Sequence, residues 1–514
     1  MLITLQEKQA LRLHPDDDVA VALMPLAPGR SVMIEGLRLR TSAAIPAGHK
    51  LALRPVAVGQ PVRRYGQVIG FATMAIAAGD HVHSQNLAVG SMTLEYEFGT
   101  DLRPVPFVPS EERRSFMGFR RPAGRAGTRN TIAVLATVNC SAHTVRRIAE
   151  RARAELLPRF PNVTDIVAIA HKSGCATRAD SPELELLQRT LAGFARHPNV
   201  AACLFVGLGC EVNQWETLLA TQGERLGGLD VPPYLGIQDS GGVAATVEAG
   251  VRAIERLLPF ADSFRREPLP VSELCLALQC GGSDGFSGIT GNPALGHAVD
   301  LLVAQGGTAV LSETPEVYGA EHLLTRRAVR PAVGEKLIRQ IRWWEQYTAS
   351  QGFEIDNNPA PGNKAGGLTT IFEKSLGAVA KGGSMPLVAV YDYAEQIVDQ
   401  GFTFMDTPGY DPVSATGQVA GGSTIIAFTT GRGSCFGFKP APSIKIATNS
   451  ATFQRMPHDM DINAGRILEG ATVEQLGREI FEKLIAVASG APSLSEAQGI
   501  GEEEFNPWIQ GATM

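Results

Sequence analysis

Four cysteines recur at one kind of place in this chain. Cys140, Cys175, Cys210 and Cys280 each close an apolar run, in TIAVLATVNC, DIVAIAHKSGC, AACLFVGLGC and LCLALQC. Thiolates are soft ligands, suited to iron, zinc or iron–sulfur centres. If the runs are parallel strands, their carboxyl ends lie at one sheet edge, where open α/β sheets bind ligands. The spacings of 35, 35 and 70 residues match neither a zinc-ribbon pair nor a ferredoxin run. Shared ligation therefore depends on the fold bringing the thiols together. Cys203 and Cys275 sit inside their runs and read as small buried hydrophobes, while Cys435 follows a further strand-like run.

The same loops carry polar groups. His171 and Lys172 precede Cys175, Glu211 follows Cys210, and Asp239 ends YLGIQDSGG. Ser283 and Asp284 follow Cys280 in CGGSDG, Glu313 and Glu316 lie in VLSETPE, and Arg432 sits in TTGRG with Lys445 beyond it. Lys364 stands in a glycine-rich stretch, PGNKAGG. Proton abstraction beside a carboxylate needs a base, a cation for the substrate carboxylate and an electrophile for the enediolate. This set contains all three types, alongside residues that would serve equally as solvated loop charges. CGGSDG fits neither GxGxxG nor the P-loop pattern, which argues against a nucleotide. A third cluster lies near the N-terminus, where GDHVHSQN puts His81 and His83 two residues apart and GHK adds His49. Three imidazoles suffice for a metal site if the fold gathers them.

The elements that must position these groups differ along the chain. Residues 1–93 read as a small strand-rich module, split by Pro and Gly. Residues 94–116 hold three prolines and mixed charge without a period and read as a linker. Beyond 117, strand-like and helix-like runs alternate, the pattern of parallel sheets with covering helices, over domains expected at 117–364 and 365–514. A net charge of -6 without a basic run argues against nucleic acid. Apolar stretches are only strand-length and the N-terminus lacks the apolar core of a signal peptide, so a cytoplasmic protein without a membrane span is expected. The seven cysteines are then thiols or ligands rather than disulfides.

Many long stretches, in order, resemble the altronate dehydratase / galactarate dehydratase family. IPAGHKLAL, RRYGQVIGFAT and AAGDHVHSQN resemble its N-terminal SAF domain. GTRNTIAVLATVNC, AHKSGC, GLGCE, CGGSDGFSGITGNPALG, SETPEVYGAEHLL, NPAPGNKAGGLTTIFEKSLG, FTTGRGS and MDINAG resemble its large catalytic region. Gln85 replaces the last His of the HVHxHN pattern usual in the altronate branch, while MDINAG and EEEFNPWIQG look more like the galactarate branch. Cys435 is also a departure from the family pattern.

The resemblance implies a small β-rich SAF-like domain followed by a large α/β catalytic region with mainly parallel sheets. It implies a hydro-lyase that dehydrates an aldonic or aldaric acid to a 2-keto-3-deoxy acid, using divalent iron or manganese. An iron–sulfur cluster is the alternative cofactor. Cys140, Cys175, Cys210 and Cys280 are the expected iron ligands, with His49, His81 and His83 as a competing metal site. His171, Lys172, Asp239, Ser283, Asp284, Glu313, Lys364 and Arg432 are the expected acid, base and substrate-binding residues. The expected partner is a small sugar acid, in a homo-oligomer. Two other classes fit the same residues: a lyase expelling another group such as sulfite, and a non-catalytic carbohydrate-acid binding protein.

Overall fold

A computed structural model describes residues 8–510 apart from 93, 123 and 227–231. The ends of the expected N-terminal and C-terminal domains, residues 1–7, 93 and 511–514, lie outside the described residues.

The N-terminal module is built from strands of two to six residues, in antiparallel sheets. Its largest sheet runs Ala10–Leu11, Val19–Ala22, Lys50–Ala52, His81–Val82. Strands this short bury little on their own. The module is stabilised by packing: Val19, Ala52, Val62 and Ile69 join one apolar core with Leu295, Val299 and Leu376 of the main body.

The main body holds two parallel sheets. The first has four strands in the order Asp165–Ile169, Thr131–Ala136, Val200–Gly207, Tyr234–Gly236. Helices Ala142–Glu155, Pro182–Ala195, Trp215–Leu226 and Val243–Ser263 follow its strands. The second has seven strands in the order Leu387–Tyr391, Gly401–Met405, Thr308–Leu311, Cys275–Cys280, Ile425–Thr430, Ser443–Ala447, Ile462–Asn463. Its central strands, such as CLALQC and IIAFTT, are buried along their whole length, as continuous apolar runs in a covered parallel sheet must be.

The expected boundary at 364 falls inside this second sheet, since Cys275–Cys280 pairs with Ile425–Thr430. The chain divides instead between the sheets. There Ser115–Phe119 and Arg266–Pro270 pair antiparallel, so the chain leaves for the four-stranded sheet and returns beside its point of departure. Apolar residues from both sheets, among them Leu135, Phe205, Ala277 and Phe428, share one core.

Candidate active site

Loops at the carboxyl edge of the seven-stranded sheet form two layers. The deeper layer begins at Cys280, the last residue of its strand and 2 % exposed. The Lys381 ammonium donates to its sulfur at 2.9 Å, and the thiol lies 3.4 Å from Glu316 Oε2 and 3.7 Å from Glu313 Oε2. Lys374 donates to Glu316 Oε1 at 2.6 Å and to Asn358 Oδ1 at 2.8 Å. Gly281 leaves room for the Asp411 carboxylate, which a Cβ there would strike. Glu313 sits at φ +69°, a left-handed conformation that costs an L residue about 1 kcal/mol.

Burial sets the charges of this layer. It pushes the Cys280 thiol up to about 12 and the Asp411 carboxyl up to about 7. It also raises Glu313, with the neighbouring Glu316 adding to the effect. Burial works the same way on Glu316, but Lys374 and Lys381 hold that carboxyl below its ordinary value. Cys280, Glu313 and Glu316 bring ligand atoms within 4.8 Å of one another, a donor set of metal-binding type. Both lysine ammonium groups already occupy those donors, and a dication would have to displace two buried cations. In this structure the layer is a network of buried proton-holding groups closed by the two lysines.

The shallower layer lies where the N-terminal module meets the sheet. Asp284 is buried, and its Oδ1 accepts from Phe286 N, Ser287 Oγ and Thr448 Oγ1 at 2.9–3.1 Å while Oδ2 accepts from Asn449 Nδ2 at 2.9 Å. Burial raises its carboxyl against these bonds. Asp284, Asn449, Gly366, Arg432 and Arg455 line a cleft of about 480 Å³, with Ala47 and Leu23 of the module on its other wall. The glycine-rich stretch around Lys364 is a short helix, Pro361–Ala365, fixed by Asn363 Nδ2 on Ser283 O at 2.8 Å. CGGSDG does not open directly into a helix, since the next one starts at Gly291. Its Gly285 N donates to Gly366 O at 2.8 Å, joining the two loops.

His49, His81 and His83 converge on that helix's end. Their ring centres lie 4.8–5.5 Å apart. His83 Nε2 donates to Lys364 O at 2.8 Å and His49 Nε2 lies 3.3 Å from Ala365 O. A carbonyl on one ring nitrogen leaves the other of His49 for a ligand, as in metal-ligating histidines, whereas His83 Nδ1 accepts from Ser84 Oγ at 2.8 Å. His49 Nδ1 and His81 Nε2 are 3.0 Å apart, the separation of two nitrogens each about 2.1 Å from one ion at a right angle. Burial pushes both imidazoles down to about 4, which keeps them neutral and able to ligate. The His49–His81 pair thus has the spacing for a divalent ion, with the His83 ring stacked 4.8 Å from His49, centre to centre. Gln85 turns away and donates to His81 O at 2.9 Å.

A buried charge cluster clamps the module in place. Glu373 accepts from Lys50 Nζ at 2.9 Å, Arg64 at 2.5 Å, and Thr369 N and Oγ1 at 2.8 and 2.7 Å. Lys50 also donates to Gly367 O at 2.7 Å, and Arg64 to Gly285 O at 2.7 Å. Lys50 follows His49 directly, so the clamp carries the histidine with it.

The structure thus gathers Ser283, Asp284, Arg432, the Lys364 helix and the three histidines, above Cys280 and Glu313. It does not gather the four expected cysteines. Cys140, Cys175 and Cys210 are exposed on the four-stranded sheet, and Cys280 is buried on the other. His171 uses both ring nitrogens locally, Nε2 on Ala136 O at 2.9 Å and Nδ1 accepting from Ser173 N at 3.1 Å. Lys172 and Asp239 are exposed in loops that follow the two edge strands of that first sheet. Lys374, Lys381, Asp411, Asn449, Arg455 and Glu373 were not singled out by sequence. Their signal, polar residues within helices and after strands, is the same as that of any solvated residue.

Three family profiles divide the chain as the sheets do. The altronate/galactarate dehydratase SAF domain matches residues 8–90, the second domain of D-galactarate dehydratase/altronate hydrolase 118–262, and the C-terminal domain of D-galactarate/altronate dehydratase 271–513. A SAF module closed over such a body defines a sugar-acid dehydratase, a carbon–oxygen lyase. The chain is 36 % identical over 492 residues to altronate dehydratase of Bacillus subtilis (strain 168), covering 94 % of this chain and 95 % of that one. It is 35 % identical over 507 residues to the galactarate dehydratase (L-threo-forming) of Escherichia coli (strain K12), covering 97 % and 96 %. It is also 32 % identical over 396 residues to the (2R)-sulfolactate sulfo-lyase subunit beta of Chromohalobacter salexigens, covering 76 % and 96 %. The chain belongs to the D-galactarate/altronate dehydratase family.

Proposed function

We propose that this enzyme removes water from an aldonic or aldaric acid of the galactarate or altronate type, giving a 2-keto-3-deoxy acid. The observation that carries the reading is the cleft lined by Arg432, Arg455 and Asp284, whose Ala365 also lies 3.3 Å, through its carbonyl, from His49 Nε2. The arginines bind the substrate carboxylate, for which their planar fork is suited. Asp284, with its raised pKa and an Oδ2 engaged only by Asn449, takes the α-proton. The Lys364 and Ala365 carbonyls hold the histidines that would bind divalent iron or manganese. Bound there, the ion would supply Lewis-acid stabilisation of the enediolate. The module wall excludes water from the cleft while Glu373 holds it closed. The reading includes a cytoplasmic homo-oligomer that acts on a small molecule and on neither nucleic acid nor membrane. No helix among the described residues is long and apolar enough to cross a bilayer.

The test is 2-keto acid release from a panel of aldonic and aldaric acids by protein loaded with ferrous or manganous ion. Keto acid from galactarate or altronate supports the reading. No release from any member by folded, metal-loaded protein overturns it. The similarity to a sulfo-lyase subunit favours one second reading, sulfite elimination from a sulfonated hydroxy acid, so sulfite release is assayed on sulfolactate in parallel.

A further inference from the structure

The four-stranded sheet has a carboxyl edge of its own, which the dehydratase cleft does not use. Cys140, Cys175 and Cys210 follow Thr131–Ala136, Asp165–Ile169 and Val200–Gly207, which are neighbours in that parallel sheet. Adjacent strands lie about 4.8 Å apart. The three loops are tied together beyond the strands. Asn139 N donates to Ser173 O at 2.8 Å, Asn213 N to Gly174 O at 3.1 Å, and Asn213 Nδ2 to Thr137 O at 2.9 Å. Glu211 fastens the same knot, accepting from Thr137 Oγ1 at 2.8 Å, Leu208 N at 3.1 Å and Gly209 N at 2.6 Å.

The backbone on both sides of Cys175 is unusual. Gly174 has φ +94°, and a Cβ there would strike Thr137 O. Ala176 has φ +43°, a left-handed conformation that a non-glycine residue adopts at a cost. Such strain is retained where a loop must hold one geometry. The outcome here is that all three thiols are exposed, whereas Cys203, Cys275 and Cys280 are buried. Gln238 Nε2 points at Cys210 Sγ from 3.4 Å, and such hydrogen bonds tune cluster sulfurs.

We propose that Cys140, Cys175 and Cys210 bind an iron–sulfur cluster through three thiolates, leaving one iron without a protein ligand. Each thiol releases its proton on binding. The open iron takes an oxygen ligand, water or the hydroxyl or carboxylate of a hydroxy acid, and its exposed edge gives that ligand access. This site is separate from the histidine triad and does not rest on the dehydratase reading.

The experiment is anaerobic reconstitution of the full chain with ferrous iron and sulfide, followed by assay of protein-bound iron and acid-labile sulfide. About four of each per chain, with visible absorption, is expected. Cys140→Ser, Cys175→Ser and Cys210→Ser should each lose most of the sulfide, and Cys435→Ser should keep it. In the loaded protein, alkylation mapped by mass spectrometry should spare the three thiols and modify Cys435, a result that requires no variant to fold. Iron without sulfide, or a cluster retained when all three cysteines are replaced, overturns the proposal. Because the readout is sulfide and thiol protection rather than turnover, its failure is separable from failure of the dehydratase assay.

Discussion

Glu373→Gln tests whether the N-terminal module is held shut by charge. The carboxylate is fully buried and accepts from two cations and two Thr369 groups. Glutamine keeps the volume but removes the charge, and its amide nitrogen must point a donor at Arg64 or at Lys50 and Thr369. Burial alone would raise the carboxyl, but Lys50 and Arg64 outweigh it and hold Glu373 at about 2, against an ordinary 4.5. That difference corresponds to about 3 kcal/mol favouring the charged form. It agrees with the ~3–5 kcal/mol typical of breaking a buried ion pair from one side. The cost should fall on module docking, because both cations belong to the module and Glu373 to the body. Hydrogen exchange reads this directly. Amides of Lys50–Ala52 should exchange about 100-fold faster in the variant, while those of Thr131–Ala136 stay unchanged. Affinity for a divalent ion and turnover should fall together, since His49 moves with Lys50. Exchange within threefold of the parent, with unchanged metal affinity, would refute the clamp. The pH dependence has a definite sign. A depressed carboxyl pKa contributes stability that is full above pH 4.5 and is lost as pH falls toward 2.

Three further outcomes are expected. His83→Ala should weaken ferrous or manganous ion binding at least about tenfold by calorimetry, with the two parallel sheets intact by circular dichroism; undiminished binding would remove the triad from the mechanism. With His49 and His81 held at about 4 by burial, metal occupancy should stay flat down to about pH 5 and fall as pH approaches 4; release centred near pH 6.5 would contradict the burial argument. The unfolded chain binds those protons from pH 6.5 downward, so metal-free protein should also lose stability between pH 6.5 and 4. Arg432→Gln should raise KM for the sugar acid about 10- to 100-fold, the worth of one charged hydrogen bond, without affecting thermal stability, because the side chain is exposed. An unchanged KM would assign the carboxylate to another group.

What could be read from the sequence was the ends of strands. An apolar run that stops at a cysteine and then glycine locates an edge and a loop, so the placement of Cys280, Asp284, Glu313 and Arg432 at a sheet edge is legible in the sequence. Which edge a residue joins is not a local property. Four cysteines with the same local signature distribute over two sheets because the chain returns along Arg266–Pro270 before beginning the second one. The period of apolar residues is the same on both sides of that return, and this is also why the boundary expected at 364 fell inside a sheet. Partners from helices were less legible still. Lys374 and Lys381 look like ordinary helical lysines in IFEKSLGAVAKGG, and only their burial against Glu316, Glu313 and Cys280 distinguishes them. The histidines are the opposite case. His49 is 32 residues from His81, yet chemistry alone named them as a set, and the module's short strands bring them together. A strand of two residues, His81–Val82, cannot fix a ligand geometry on its own. It does so here because the clamp at Glu373 and the carbonyls of Lys364 and Ala365 supply from the body the rigidity that the module lacks. The proposed metal site and the closure of the module over the cleft therefore depend on the same contacts, and any variant that opens the module should also weaken binding of a divalent ion.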